Sequence, residues 1–419
     1  MNDFHARFEE TTPQSTRCKN TGCVGGFSRV YTAVHALVKN RTNAIFLNAG
    51  DNFQGTLWYN QFGWNVTQYF LNKLPTDAYV LGNHEFDQGI DGVTPFIKAL
   101  NAPTVVANIN DTLEPSMQGL YNKSTVIERS GRKIGVIGVI LSTTNQISST
   151  GNLRFTDEVE AVKKEADHLI KNKNCSIIIV LSHCGIEVDK KIAEEAGPHV
   201  RLVVGGHTHT FLYSGSNPPG PEKPRGTYPV VVTNKQGKKV LVVQASYNTL
   251  YLGNLTVWYD NNGHVQAWDG NPIYLDNRIP QDTNINNELK IWKDQVDMYG
   301  NTVLGYSQVF LNRSTRRTGE SNIGSFFADA MVDYYVDKAN AGSWTYVSIA
   351  IINSGALRTS LFPGNITVYD LVAAQPFGNT LDCGELTGQN IKDILEYSVT
   401  PSASMYAKEL RLLKPMMKG

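Results

Sequence analysis

The stretch Asn83-His84-Glu85-Phe86-Asp87 packs an amide, an imidazole and two carboxylates into five residues. It follows the apolar run Ala78-Tyr79-Val80-Leu81 and Gly82, so the polar cluster falls where a strand breaks into a loop. In α/β enzymes that is where the chemistry sits. Four other stretches repeat the arrangement: Asp3-Phe4-His5 with Arg7, Gly50-Asp51-Asn52, Ser182-His183-Cys184-Gly185, and Gly205-Gly206-His207-Thr208-His209. Asp3 and His5 stand at i and i+2, which puts both side chains on one face of an extended segment. Glycines on both sides of Asp51, at Gly50 and Gly55, let backbone approach a ligand closely. Taken singly, each stretch reads as a polar turn, and a lone histidine is more often structural. Taken together, Asp3, His5, Asp51, Asn83, His84, Asp87, His183, His207 and His209 supply what two adjacent divalent cations need: oxygen and nitrogen donors plus a bridging carboxylate. Such a pair, about 3.5–4 Å apart, activates a bridging water and clamps both oxygens of an in-line phosphoryl displacement. A His/Asp/Asn set without thiolate suits Zn, Mn, Fe or Mg. Further along, Arg313, Arg316, Arg317 and Arg358 are candidates for bidentate phosphate binding, and Phe377, in a Pro-Phe-Gly turn, for stacking on a flat base.

These residues need strands and loops to position them. Short apolar runs at 43–49, 78–81, 103–108, 133–141, 175–181, 200–204, 240–244 and 250–259 read as strands. Apolar residues at helical spacing mark 26–38, with Val30, Ala33, Val34 and Leu37 on one face, and 157–171 is a charged amphipathic helix. Alternation of the two predicts a layered α/β domain. Around 276–281 the sequence turns Asn/Asp/Pro-rich, and a polar helix over 283–300 then connects to a second α/β region. There 322–335 reads as a helix carrying Phe326, Phe327, Ala330 and Met331, and 347–352 as a strand ending in Asn353-Ser354-Gly355-Ala356-Leu357-Arg358. The division expected is 1–282, 283–300 and 301–419.

A chain of 419 residues has room for two cores. Its 38 basic residues balance 38 acidic ones, which argues against bulk attraction to nucleic acid or an anionic membrane. No apolar run reaches the length of a membrane span. No leader precedes Asn2, and no apolar tail of the kind exchanged for a lipid anchor follows. Asn-x-Ser/Thr triplets at Asn40, Asn65, Asn110, Asn122, Asn174, Asn254, Asn312 and Asn365 point to secretion. So do Cys18 and Cys23, spaced for a loop-closing disulfide rather than a zinc site, since no second Cys/His pair stands nearby.

The five motifs, in this order, resemble the metallophosphoesterase set, and their wording resembles the 5′-nucleotidase/apyrase family in particular. Asn322-Ile323-Gly324, Asn353 to Arg358 and Pro376-Phe377-Gly378 extend the likeness over nearly the whole chain. The resemblance implies a layered metallophosphoesterase sandwich with a second α/β nucleotide-binding domain, and two divalent ions, zinc first with Mg, Mn or Ca as alternatives. It implies that Asp3, His5 and His207 hold one ion, Asn83 and His183 the other, with Asp51 bridging. His84, paired with Asp87, would stabilise charge on the phosphoryl group, with Arg7 in support; His209 would be metal-proximal and ranked below the others. Asn353, Arg358 and Arg317 would grip the substrate phosphate, and Phe377 would form one face of the base sandwich.

Three departures from the family pattern stand out. Ser354 and Ala356 narrow a loop that usually has more glycine. Arg316 and Ser321 occupy the positions of a cysteine pair found in vertebrate ecto-5′-nucleotidase. The chain also lacks the strand expected before Asn2 and the later segment that supplies a second base-stacking aromatic, so the second domain is expected to be incomplete at its C-terminus. The expectation is a secreted, metal-dependent nucleotide phosphohydrolase, either an apyrase on ATP and ADP, as in the salivary apyrases of blood-feeding arthropods with their anti-platelet role, or a 5′-nucleotidase on AMP. The alternative is a family member that binds nucleotide or a platelet receptor without turnover.

Overall fold

The computed structural model describes residues 1–18, 21–315, 319–340, 342–343 and 345–398, and the backbone of the strand Glu409–Leu412. The described chain divides into two compact units, Met1–Gln54 with Trp58–Asp294, and Gly55–Leu57 with Gln295–Gly419. The division falls inside the helix Thr283–Gly300.

The first unit is built on a six-stranded mixed sheet. Four strands, Arg132–Ile140, Ile177–His183, Val200–Val204 and Lys239–Val243, run parallel side by side. Ser124–Arg129 and Val230–Thr233 close the two edges antiparallel. Every residue of Ile177–His183 is buried, as a central parallel strand covered on both faces requires. On one face, Val159, Val162, Ala166 and Leu169 of the helix Glu158–Lys173 and Ile192 of the helix Ile186–Glu195 pack on Ile178, Val180, Val203 and Val242. Asp157 caps the first of these helices by accepting from the Glu160 N–H. On the opposite face, Ile177, Ile179, Leu181, Leu241 and Val243 meet Leu47, Ala49, Ala78, Val80 and Val105 from a second strand layer. There Leu47–Asn48 pairs in parallel with Ala78–Tyr79. The chain start joins this layer: the Ala49 N–H donates to the Met1 carbonyl (2.8 Å) and the Asp3 N–H to the Gly50 carbonyl (3.0 Å). Cys18 and Cys23 are disulfide-bonded, as their spacing suggested.

The second unit pairs Val303–Ser307 with Gly364–Thr367 and Ile349–Ile352 with Glu409–Leu412, both antiparallel. The helix Asn322–Val336 starts at a Ser321 cap, and its Ile323 is buried with Leu311, Ile352, Leu357 and Leu361.

Several extended expectations came out shorter, with 43–49 reduced to Leu47–Asn48 and 78–81 to Ala78–Tyr79. The run 103–108 makes only isolated bridges at Thr104 and Val105, and 250–259 splits into Tyr251–Leu252 and Thr256–Tyr259. In both, the chain crosses from one pairing partner to another, so no ladder lasts. The architecture is the expected layered α/β.

Candidate active site

All five motifs meet at the carboxyl ends of the strands. Asp51 follows Leu47–Asn48, Asn83 follows Ala78–Tyr79, His183 ends Ile177–His183, and His207 and His209 follow Val200–Val204. Asp3 and His5 arrive on the segment hydrogen-bonded alongside, where the His5 N–H donates to the Asp51 carbonyl (3.0 Å). Asp3, His5, Asp51, His207 and His209 all have positive φ, at 49, 49, 52, 74 and 54°. Left-handed residues of this kind cost free energy that the surrounding hydrogen bonds must offset. What they gain here is convergence, because each turns a side chain into one small volume.

The donors fall into two groups that share Asp51: Asp3, His5, Asp51 and His209; and Asp51, His183 and His207. In the first, His209 Nε2 lies 3.2 Å from Asp3 Oδ1 and 3.1 Å from His5 Nε2. In the second, His183 Nε2 lies 3.0 Å from Asp51 Oδ2, and His207 Nδ1 lies 2.9 Å from Asn83 Oδ1. This differs from the partition expected from the resemblance. His207 joins Asp51 and His183 instead of Asp3 and His5, because only its backbone N–H faces Asp3 (3.1 Å to Oδ1) while its ring turns to Asn83. His209, ranked lowest on sequence, stands in the first group.

The hydrogen bonds behind the ligands set their tautomers. His183 Nδ1–H donates to the Ala49 carbonyl at 2.7 Å, and His5 Nδ1–H to the Phe53 carbonyl at 3.2 Å. Each therefore points Nε2 into the site, where loss of its proton leaves the lone pair that a cation needs. His207 Nε2 is buried without a hydrogen-bond partner, as a metal-ligating nitrogen would be. Cys184 is not a competing donor, since burial first, then Asp189, push its thiol well above the usual range. The residues present fit a pair of divalent cations with oxygen and imidazole ligands.

Close backbone packing makes this possible. A Cβ on Gly50 would lie 2.6 Å from the Gly82 nitrogen and 2.9 Å from His183 Nδ1. One on Gly206 would lie 2.8 Å from the Ala49 carbonyl oxygen. Neither fits.

Glu85 was counted on sequence only as a member of the polar cluster. The structure makes it the tie between two loops. Its carboxylate accepts from the N–H groups of Gly82 (2.5 Å), Asp51 (2.9 Å), Asn52 (2.6 Å) and Phe53 (3.3 Å). Burial, then the Asp51 charge, push its pKa up to about 7, against the pull of the Gly82 and Asn52 N–H groups. No sequence signal reveals this, because all the partners but Gly82 are backbone groups some thirty residues away.

Electrostatically the site is a packed, alternating set. Burial would raise Asp51, but His183, His84 and His5 together hold it well below the usual carboxylate range. Asp3 is raised, by burial first and then by Asp51 among its neighbours. His183 reaches about 10 because Asp51 and Asp3 outweigh its burial, whereas burial and then the His183 charge drop His207 to about 4. Outside the ligand groups, His84 Nδ1 lies 2.7 Å from Asp87 Oδ2, and its backbone N–H donates to Asp51 Oδ1 at 2.9 Å. Arg7 is buried on the same segment as His5.

In the second unit, the Arg358 guanidinium lies 5.5 Å from the Phe377 ring centroid. Asn353 is exposed at the start of the turn Ser354–Ala356, and the Arg313 guanidinium donates to the Arg358 carbonyl. Arg316 and Arg317 lie outside the described residues.

Comparison with known proteins agrees with this geometry. Residues 1–211 match the calcineurin-like phosphoesterase family, and residues 303–411 match the 5′-nucleotidase C-terminal domain. The chain is 47% identical to an apyrase of Tabanus yao over 96% of its own length and 72% of that protein's. It is 40% identical to a bovine 5′-nucleotidase, over 95% of the chain and 71% of that protein. A 5′-nucleotidase precursor from Thermus thermophilus has a similar structure, with TM-score 0.87 and 32% identity over 98% of this chain and 79% of the other. Half-matching domains, shared fold and a buried Asp/His cluster at the strand ends converge: the chain belongs to the 5′-nucleotidase/apyrase family of calcineurin-like metallophosphoesterases and is a nucleotide phosphate hydrolase with a divalent metal centre.

Proposed function

We propose that the enzyme removes phosphate from ATP and ADP, as an apyrase, at a centre of two divalent ions bridged by Asp51. The observation that carries this reading is the membership of one buried carboxylate in both donor groups. Asp3, His5 and His209 would complete one ion's ligands, and Asn83, His183 and His207 the other's. Imidazole and carboxylate donors suit Zn or Mn. When bound, such a pair lowers the pKa of a shared water and withdraws charge from the phosphoryl oxygens.

The chain's own residues do the rest. Asp87 accepts the Nδ1 proton of His84, which stabilises the imidazolium and leaves a proton at Nε2 for the phosphoryl group as charge builds there. Arg7 adds positive charge beside the His5 segment. Asn353, Arg358 and Arg317 grip the phosphate chain, and Phe377 stacks on the base. Identity of 47% to the Tabanus apyrase makes the di- and triphosphates the first substrates to test.

The same reading places the enzyme outside the cell, where nucleotides signal to platelets and where a salivary role would lie. Six of the eight Asn-x-Ser/Thr asparagines (Asn40, Asn65, Asn110, Asn122, Asn174 and Asn365) are exposed, so these six are reachable by glycan, and Asn254 and Asn312 are half-buried. Among the described residues no helix is long and apolar enough to cross a membrane. Phosphate release from ATP, ADP and AMP, with added divalent ion and with chelator, tests the function. Metal-dependent release from ATP and ADP with AMP accumulating is expected. Release from AMP to leave adenosine would replace the apyrase reading with a 5′-nucleotidase. No release from any of them would leave a nucleotide binder.

A further inference from the structure

The segment Ser246–Thr249 belongs to none of the five motifs, yet it is woven into the donor cluster. The Asn248 N–H donates to the Asp3 carbonyl (2.8 Å), and the Ser246 carbonyl accepts from Asn2 Nδ2 (2.5 Å). Asn2 in turn donates to Asp3 Oδ2 at 2.7 Å. The Thr249 hydroxyl accepts from the Gly26 N–H at 2.8 Å. Ser246, Asn248 and Thr249 have φ of 59, 54 and 60°, and Thr249 is a β-branched residue for which that conformation is strained. A run of strained residues persists only where the surroundings over-determine it. Here the strain carries Tyr247 to a defined place: its ring lies flat on that of His209, with centroids 4.5 Å apart and planes 10° from parallel.

Two consequences follow from that stack. The phenol blocks one face of the imidazole, so His209 cannot swing about its ring torsion without losing the contact. Its Nε2 therefore stays aimed at Asp3 Oδ1 and His5 Nε2, 3.2 and 3.1 Å away. An imidazole that donates its lone pair to a cation also becomes electron-poor, and the π-face of an aromatic ring stabilises it in that state.

We propose that Tyr247 is a positioning residue that fixes His209 as a ligand and so sets the affinity of the Asp3–His5–His209 half of the centre, separately from the His183–His207 half. This rests on the two-ion reading above. Partners that orient a metal ligand from behind typically change metal affinity by about 10–100-fold when removed. The interaction depends on the ring and not on the hydroxyl, so Tyr247→Phe retains it and Tyr247→Ala abolishes it.

Calorimetric titration of metal-free protein with Mn(II) and with Zn(II) tests this, with thermal unfolding of each metal-free variant as a check on folding. Wild type should bind two ions per chain. Tyr247→Ala should bind one ion as wild type does and the other about 10–100-fold more weakly, and Tyr247→Phe should restore both. Two unchanged affinities in Tyr247→Ala, or equal weakening of both ions, would overturn the assignment to Tyr247. Failure of wild type to bind two ions would instead overturn the two-ion reading. Should Tyr247→Ala fail to fold, Tyr247→Leu, which fills the space without a π-face, takes its place with the same two outcomes.

Discussion

At the scale of single residues, the account divides the polar side chains by what holds them. His84 touches Asp87 through Nδ1, its ring stands edge-on to that of His5 with centroids 5.2 Å apart, and its backbone N–H donates to Asp51. His84→Ala should lower turnover by about 10²–10³-fold or more while leaving Tm nearly unchanged; steady-state rates beside a melting curve check both, and near wild-type turnover would remove the role. Glu85 is the opposite case. Glu85→Ala would strand buried N–H groups of Gly82, Asp51 and Asn52, each at a cost of about 1–3 kcal/mol, so denaturant unfolding should show a large stability loss. The donor types were legible in the sequence, because Asp, His and Asn at strand ends carry a chemical meaning wherever they fall. Their partition was not. Which way His207 and His209 point is decided by left-handed turns, and nothing in Gly-Gly-His-Thr-His specifies those. Glu85 was illegible for a different reason, since its partners are backbone groups.

Strand ends matter at the next scale, because a rigid ladder fixes the position of the loop that leaves it. Val200–Val204 and Ile177–His183 are short apolar runs whose ends were readable to within two residues, and these hold His183, His207 and His209. The layer that carries Asp3 and Asp51 was less readable, because it is stitched by two-residue ladders and single bridges in place of long runs. Between the helix Ile186–Glu195 and the sheet, one buried group makes a prediction. Asp189 Oδ1 accepts from the Ser182 hydroxyl at 2.5 Å, while Oδ2 is buried without a partner. Burial pushes its pKa up to about 7, above the ordinary value of 3.8. The folded protein thus binds this proton more tightly than the unfolded chain, so stability is greatest below about pH 4 for this group and falls as pH rises from there to about 7. Asp189→Asn cannot ionise and should flatten that part of the stability–pH profile. An unchanged slope between those limits, measured by urea unfolding, would show that Asp189 does not carry it.

Across the whole molecule, the absence of net charge, 38 basic against 38 acidic residues, leaves local chemistry to do the binding. The sequence turns Asn/Asp/Pro-rich at 276–281, shortly before the helix Thr283–Gly300 within which the two units divide. In the second unit, Arg358 lies against the Phe377 ring, the two residues proposed to take the phosphate and the base. Phe377→Ala should raise KM for nucleotides and leave that for a simple aryl phosphate nearly unchanged; equal loss on both would remove Phe377 from the base site. Two buried carboxylates and four imidazoles crowded into one volume also predict that bound ions stabilise the fold by mass action. Chelation should lower Tm, and excess divalent ion should restore it. The most direct test of the central claim is the number of ions needed for turnover. Metal-free protein should regain phosphate release from ADP only as a second ion per chain is bound, and Asp51→Asn should disrupt both sites at once. Full activity with a single ion, or an Asp51→Asn protein that keeps two ions and wild-type turnover, would contradict a centre bridged by Asp51.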